Sequence, residues 1–247
     1  MTLDTVLFLV LGAAAGGFIN GLSGTGTALF ALGFYLVVLP PETAVAIVAL
    51  MSVLVGVQGL WIVRASIFDR KDRLLRFIVP GLIGVPLGLA LLDIIDGRTL
   101  RIGIASFLIL YGGYFGFRAV LPSFARRTPI IDGLVGFMGG TLGGAAGVSG
   151  ALPSMWLSIR PWSKSETRAV LQPFNMVMLS TTVTLLFFKG AYTDTALTAL
   201  AVTIPCGLVA AQVGILVFRR LSDTGFRRLL ILLTLAMGVG VLASELV

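Results

Sequence analysis

Two glycine-rich segments carry the residues best suited to binding chemistry. The first reads Asn20-Gly-Leu-Ser-Gly-Thr-Gly-Thr27, and the second, Gly143–Gly150, ends in Gly-Val-Ser-Gly. Each segment interrupts a long apolar run with glycines and hydroxyls. A helix that restarts after such an interruption presents unpaired N–H groups and the positive end of its dipole. Two such ends facing each other would form a site for a small anion.

The candidate substrate-binding residues are glycines that permit close approach, hydroxyl donors and amides. They are Asn20, Gly21, Ser23, Gly24, Thr25, Gly26, Thr27, Gly144, Gly147, Ser149, Gly150, Gln172 and Asn175. The glycines could instead serve only to pack helices, as small residues often do in membranes. Gln172 and Asn175 flank Pro173 in an apolar run, and they face either a cavity or a neighbouring helix. The same two alternatives apply to Gln58 and Gln212.

Other kinds of site are disfavoured by the residue types. The chain has no His, and Cys206 is its one cysteine. A His-ligated metal, a haem or a redox cysteine pair is therefore excluded, and no metal or cofactor is expected. Ser149 lies in a Gly-x-Ser-Gly pattern like that of intramembrane serine proteases, but that chemistry needs a His base.

Two observations concern glutamates and tryptophans outside the glycine-rich segments. Glu42 and Glu166 follow short breaks and are predicted to stabilise the first turns of helices, where an acid is favoured. Trp61, Trp156 and Trp162 are predicted to anchor the chain at membrane interfaces.

The composition identifies the class of protein. Hydrophobic residues make up 57% of the 247-residue chain, charged residues only 12%, and the mean hydropathy is +1.04. Soluble domains carry about 25% charged residues. The sequence therefore predicts an all-α polytopic membrane protein, solvated by lipid. The net charge of +7 does not indicate nucleic-acid binding, because the basic residues lie in short loops between apolar runs.

The first apolar run predicts a broken hairpin. Leu3–Leu39 is too long for one spanning helix, which needs about 20 residues. Its arms, Thr5–Ile19 and Ala28–Leu39, are short for a crossing, and the arms around Gly143–Gly150 are shorter still. Both segments are predicted to be re-entrant hairpins with tips inside the membrane. Arms that span the membrane fully are the alternative, because they return the chain to the same side. The six other apolar runs, at roughly 43–63, 77–95, 102–117, 169–188, 195–218 and 229–246, are predicted to cross it.

The sequence repeats itself at a spacing of about 124 residues. Gly16-Gly17 aligns with Gly139-Gly140. Three further pairs align in the same order along the chain: Glu42 with Glu166, Pro80 with Pro205, and Asp96 with Asp223. This pattern predicts two repeats, residues 1–122 and 123–247. Each repeat is predicted to be a re-entrant hairpin followed by three transmembrane helices.

Counting positive charges gives the predicted topology. With both hairpins returning to their starting side, all of the 18 Lys and Arg residues except Arg98, Arg101 and Lys189 fall on one side. That side is the cytoplasm by the positive-inside rule, so both termini are predicted to lie outside. Three crossings after each hairpin then make the repeats inverted, an arrangement typical of secondary transporters.

The glycine-rich segments, in the order in which they occur, resemble the sulfite exporter TauE/SafE family. The resemblance rests on "GGFINGLSGTGTALF" and "GGTLGGAAGVSGALP", and on "PPETAVAIVALMSV" with its echo "SKSETRAVLQPFNMVM". It implies a bacterial-type inner-membrane permease for sulfite, sulfonates or related small organic anions. An anion channel, a membrane scaffold and a lipid-modifying enzyme are the alternatives, and whether the chain forms a homo-oligomer stays open.

Overall fold

In the computed structural model of the protein, all elements within the described residues are α-helices. The structure describes residues 2–69, 71–91, 97–116, 124–146 and 149–246. The helices are α1 Leu3–Ser23, α2 Thr27–Val38, α3 Pro41–Asp69, α4 Lys71–Leu91, α5 Gly97–Gly116, α6 Pro129–Ala146, α7 Ala151–Ser158, α8 Lys164–Phe188, α9 Asp194–Arg220 and α10 Asp223–Leu246. Twice along the chain, two helices separated by a short break precede three helices of 20 to 29 residues each.

Several of these helices have the length and apolar character of membrane spans. Four in the described part meet both conditions, and they are Leu3–Ser23, Thr43–Asp69, Lys164–Phe188 and Asp194–Arg220. A 21-residue helix is about 31 Å long, which equals the thickness of a bilayer core. The chain is therefore an integral membrane protein of the all-helical class.

The lengths of the hairpin arms correct one prediction. The first arm was expected to be too short to cross a membrane, but α1 has 21 residues and is a candidate span. The second arm, α2, has 12 residues and is about 18 Å long, as expected. In the second pair, α6 has 18 residues and α7 has 8. Within each pair, only the second arm is clearly too short to span.

Glycines hold α1 against two neighbours at once. Gly12 and Gly16 face α2, where an added Cβ would approach the side chains of Tyr35 and Ala31. Gly17 faces α9 instead, since a Cβ on Gly17 would lie 2.8 Å from the Cα of Gly207. Small residues let helix backbones approach closely in membranes. Gly12, Gly16 and Gly17 therefore pack helices together, which is the alternative role considered from the sequence.

A similar close crossing joins α4 to α6. A Cβ on Gly140 would lie 2.7 Å from the Cα of Gly81, and Gly136 approaches the backbone of Phe77 in the same way. The remaining helix pairs with extensive packing are α3 with α8 and α5 with α10. Two apolar cores result, one among α1, α2, α3 and α9, and the other mainly among α4, α8 and α10.

Candidate functional site

The first break is shorter than the sequence predicts. The expected interruption was Asn20–Thr27, but α1 continues to Ser23 and α2 begins at Thr27. Gly24 ends α1 with φ 84°, and its N–H donates to the Asn20 carbonyl at 2.8 Å, which is a left-handed helix cap. Gly26 has φ 91° and precedes α2. Both left-handed positions favour glycine, because other residues have a clash there.

Ser23 holds this break together. Its hydroxyl lies 2.9 Å from the carbonyl oxygen of Ile19 and 2.8 Å from that of Thr25, and it can donate its one proton to either. The same oxygen accepts a hydrogen bond from the N–H of Thr25 at 3.4 Å. The expected role of Ser23 as a free donor toward an anion therefore competes with its role in shaping the turn.

The second break follows α6 directly. Gly144 was predicted to lie in the break, but it belongs to α6, which extends to Ala146. Gly147 lies outside the described residues. Ser149 and Gly150 form a turn before α7, and the Ser149 hydroxyl donates to Oδ1 of Asn175 at 2.8 Å. Ser149 is therefore tied to the middle part of α8.

The two breaks are in direct contact. A Cβ built on Gly150 would lie 2.8 Å from the Cβ of Thr25, so the Thr25 side chain occupies the space over Gly150. Both residues are buried, with Thr25 only 3% exposed. Segments 125 positions apart in the sequence thus meet in the protein interior.

Amide side chains link the first break to α3 and α8. Asn20 donates to the Thr27 hydroxyl at 2.8 Å and to the Ser52 carbonyl of α3 at 3.4 Å, which joins the two sides of the break. Gln172 donates to Oδ1 of Asn20 at 3.3 Å and to the Gly56 carbonyl at 3.0 Å. All of these groups are buried. Sequence reasoning predicted Asn20, Thr27 and Gln172, and the structure brings them together.

Arg168 joins this polar cluster, and sequence reasoning missed it. Its charge was counted with the cytoplasmic loops, but the residue is fully buried in α8. Its Nε donates to Oε1 of Gln172 at 3.1 Å, and its Nη1 donates to the Gly21 carbonyl at 2.7 Å. The periodicity of α8 could have revealed it, because residues 168, 172 and 175 lie on one helix face.

A crevice lies beside the first break on the side of α7 and α10. It is too narrow to hold a water molecule. The polar lining comes from the break, from Ser154 of α7 and from Thr234 of α10. The Ser154 hydroxyl is buried and has no hydrogen-bond partner in the described part of the chain. Neither Ser154 nor Thr234 stands out in the sequence, since both lie in ordinary apolar runs.

The helices that restart after the breaks have no side-chain caps. Gly26 precedes α2 and Gly150 precedes α7, and neither has a side chain that could accept from the first N–H groups. Pro153 in the first turn of α7 has no N–H, so the donors of α7 are those of Ala151 and Leu152. Each break therefore places a helix N-terminus, with its positive dipole end, near the contact between the breaks.

Comparison with known proteins identifies the family. A family model described as Sulfite exporter TauE/SafE matches residues 8–241, nearly the whole chain. The chain belongs to the sulfite exporter TauE/SafE family. No curated protein and no solved structure matches it. Family membership confirms the resemblance seen in the sequence, and it makes the chain a membrane transporter of a small anion and not an enzyme.

Two intramembrane glutamines of this TauE/SafE family member pair with each other. Nε2 of Gln212 on α9 donates to Oε1 of Gln58 on α3, and Gln58 donates to the Leu208 carbonyl at 3.5 Å. Gln212 is exposed and Gln58 is half-buried. Of the two roles considered for them, the structure supports hydrogen bonding between helices.

The acidic residue in the first turn of α8 has the predicted capping role. Glu166 and Ser163 form a capping box, in which each side chain accepts from the other residue's N–H. Glu166 also pairs with Arg73 of α4 at 2.7 Å. The side chain of Glu42, for which the same role was predicted, lies outside the described residues.

The tryptophans divide into two groups. Trp61 is 68% exposed and lies under the guanidinium of Arg64. Trp156 and Trp162 instead pack around Arg160, a residue only 3% exposed that pairs with Asp132 at 2.9 Å. These two tryptophans therefore belong to an ionic cluster at one end of the helices.

The described residues include no group of His, Cys, Asp and Glu suited to a metal.

Proposed function

We propose that this TauE/SafE protein carries a small anion, such as sulfite or an organosulfonate, by alternating access around its two breaks. The observation that carries the proposal is the contact between Thr25 and Gly150. Irregular backbone at membrane depth persists only where it is buried in protein or lines a polar cavity. Because two such segments meet inside an apolar protein, we place the substrate site where they meet.

The chemistry around the breaks favours an anion. The N-termini of α2 and α7 have no side-chain caps, and the Ser154 hydroxyl has no partner in the described residues. The hydrogen-bonded cluster of Asn20, Gln172 and Arg168 contains no carboxylate among its described members. Oxygens of a sulfite or sulfonate would accept from these N–H and O–H groups, as anions do at helix N-termini. In this proposal the predicted site residues on both breaks, with Gln172 and Asn175, surround the anion.

The helix packing is compatible with two inverted repeats. If residues 1–122 and 123–247 are equivalent, α1 corresponds to α6 and α4 corresponds to α9. The close crossings of α1 with α9 and of α4 with α6 then become the same contact made twice. Each crossing would join a hairpin of one repeat to a long helix of the other. Rocking one repeat against the other would open the site to alternate sides.

The narrowness of the crevice beside the first break supports the interpretation that the protein is in a closed conformation. It cannot hold a water molecule, so no aqueous path reaches Thr25 through it. A carrier passes through such an occluded state between its two open states. An anion channel instead needs a continuous wetted path when it conducts.

The proposed location is a bacterial-type inner membrane, with both termini outside. The bias of Lys and Arg toward one side supports this orientation. Outward movement of an anion from a cell that is negative inside is favoured by about 2.3 kcal/mol per charge per 100 mV. The protein would then act as a uniporter and would need no coupled proton.

Flux of radiolabelled sulfite into proteoliposomes containing the purified protein tests the proposal. We expect saturable uptake that is accelerated by unlabelled sulfite on the opposite side. Ser149→Leu should abolish this uptake by filling the second break, while Ser106→Leu on the exposed surface of α5 should leave it unchanged.

Two outcomes of this experiment would contradict the proposal. Linear flux without acceleration by opposing sulfite would identify a channel. Equal flux in Ser149→Leu and in the Ser106→Leu control would show that the second break does not belong to the substrate site. A test panel of sulfite, thiosulfate, sulfoacetate, taurine and small carboxylates would then show whether any small anion is transported.

A further inference from the structure

We propose that Arg168 is the residue that makes this transporter select anions over neutral molecules of the same shape. The inference rests on the proposed function, because it assigns the charge selectivity of the same site. Arg168 is fully buried, and its guanidinium contacts only uncharged groups among the described residues. The substrate anion would supply the charge that the protein does not.

The contacts of Arg168 leave part of the guanidinium unused. Nε and Nη1 donate to Gln172 and to the Gly21 carbonyl, and the Phe218 ring centroid lies 4.5 Å from the guanidinium carbon. Nη2 is buried and has no hydrogen-bond partner within the described residues. Buried charges in proteins are normally paired, because removing an ion from water is costly. An unpaired buried arginine with a free donor atom is therefore suited to an anionic ligand.

A purely structural role explains only part of this arrangement. Gly21 lies in the last turn of α1, where a positive charge is favoured by the helix dipole. This accounts for the bond from Nη1 to the Gly21 carbonyl. It does not account for the free Nη2, or for the absence of a carboxylate partner among the described residues.

The position of Arg168 on α8 connects it to both breaks. Gln172 is one turn further along the helix, and its Oε1 would lie 2.7 Å from a Cβ on Gly24 in the first break. Asn175 is nearly one turn beyond Gln172, and it accepts from Ser149 in the second break. One face of α8 thus carries two amides that contact the two breaks, Gln172 and Asn175, and Arg168 lies one turn before Gln172 on that face.

A matched pair of inhibitors tests the charge selectivity. Methanesulfonate and dimethyl sulfone have nearly the same shape, but only methanesulfonate is charged. We expect wild-type sulfite uptake in proteoliposomes to be inhibited at much lower concentrations of methanesulfonate than of dimethyl sulfone. In Arg168→Gln, the ratio of the two inhibition constants should fall about 10- to 100-fold, the range expected for one charge-assisted hydrogen bond.

The controls separate a loss of charge from a loss of structure. Arg64→Gln removes an exposed arginine that contacts Trp61, and it should keep the wild-type ratio. Arg168→Lys keeps the positive charge, but a single ammonium nitrogen replaces the planar guanidinium and its paired donors. It should therefore retain the preference for methanesulfonate, while the KM for sulfite rises about tenfold.

The possible results distinguish a failure of the proposed function from a failure of the proposed role of Arg168. If the wild-type protein shows no saturable sulfite flux, the proposed function fails. If the wild-type protein transports sulfite and Arg168→Gln keeps the wild-type ratio, the role of Arg168 alone is overturned. A structural residue would lower the thermal midpoint and the maximal rate without changing the ratio. If Arg168→Gln does not fold, an unchanged KM for sulfite in Arg168→Lys overturns the inference.

Discussion

Replacing Gly150 by alanine tests whether the two breaks touch. The new Cβ would lie 2.8 Å from the Cβ of Thr25, closer than side-chain carbons normally approach. The backbone of Gly150 has φ −81° and ψ −9°, which alanine adopts without strain, so any effect comes from the contact itself. Inserting a methyl group into a filled interior costs about 1–3 kcal/mol. At about 2–4 °C per kcal/mol, the thermal midpoint should fall by several degrees.

The assay uses the reaction of Cys206 with a thiol-reactive dye. Cys206 is the one cysteine of the chain and is partly buried on α9, so its labelling on heating reports unfolding. Gly33→Ala is the matched control, because Gly33 lies in α2 with open space around it. This control should keep or slightly raise the midpoint, since alanine favours the helix.

A double-mutant cycle identifies Thr25 as the partner. Thr25→Ala removes two of the three atoms that the new methyl group meets, Oγ1 and Cγ2, and keeps the Cβ, so it should restore part of the stability lost in Gly150→Ala. Contacting residues show coupling energies of about 0.5–3 kcal/mol, whereas distant residues give additive effects. An unchanged midpoint in Gly150→Ala, or additive effects of the two changes, would refute the contact between the breaks.

Three further predictions concern the groups around the breaks and the ionic cluster, each checked by the same thermal assay. Gly24→Ala should cost at least about 1–2 kcal/mol, because alanine is strained in the left-handed conformation; an unchanged midpoint would contradict this. Gln172→Leu should cost about 1–3 kcal/mol by leaving its buried polar partners unpaired, and a stabilised variant would refute that network. Asp132→Asn should cost about 3–5 kcal/mol by removing the charge that pairs with buried Arg160, whereas Asp72→Asn, in an exposed pair, should change stability by less than about 1 kcal/mol. Equal effects of these two substitutions would be inconsistent with a buried pair.

The sequence was sufficient to predict the class of the protein and the positions of its interruptions. Apolar runs separated by basic loops predict membrane helices, and the helices observed follow those runs. The left-handed glycines Gly24 and Gly26 lie within the predicted first break. These features depend on local sequence alone, which explains why they could be recognised.

The extent of each break depended on tertiary contacts and was predicted less well. Asn20 and Gly21 look like helix breakers, but both are helical. Asn20 is held by hydrogen bonds to Thr27 and α3, and Gly21 allows close packing on Ala211 of α9. Gly144 was also predicted to lie in a break, but it is helical. Intrinsic propensity is a weak guide where packing supplies the stability.

The burial of Arg168 could not be read from a charge count. An arginine four positions into a helix after a basic loop is normally exposed, so it was grouped with its neighbours Arg160 and Lys164. Its burial depends on Gly21 and Phe218, which are remote in the sequence. Only the polar spacing from Arg168 to Gln172 and Asn175 carried a signal.

An X-ray structure of the protein with selenite, a selenium-containing analogue of sulfite, would show directly whether the two breaks form the anion site. We expect an anomalous selenium peak between the two breaks, within hydrogen-bond distance of a first-turn N–H of α2 or α7. A peak found only at the ends of the helices, or breaks that prove to be far apart, would contradict this expectation.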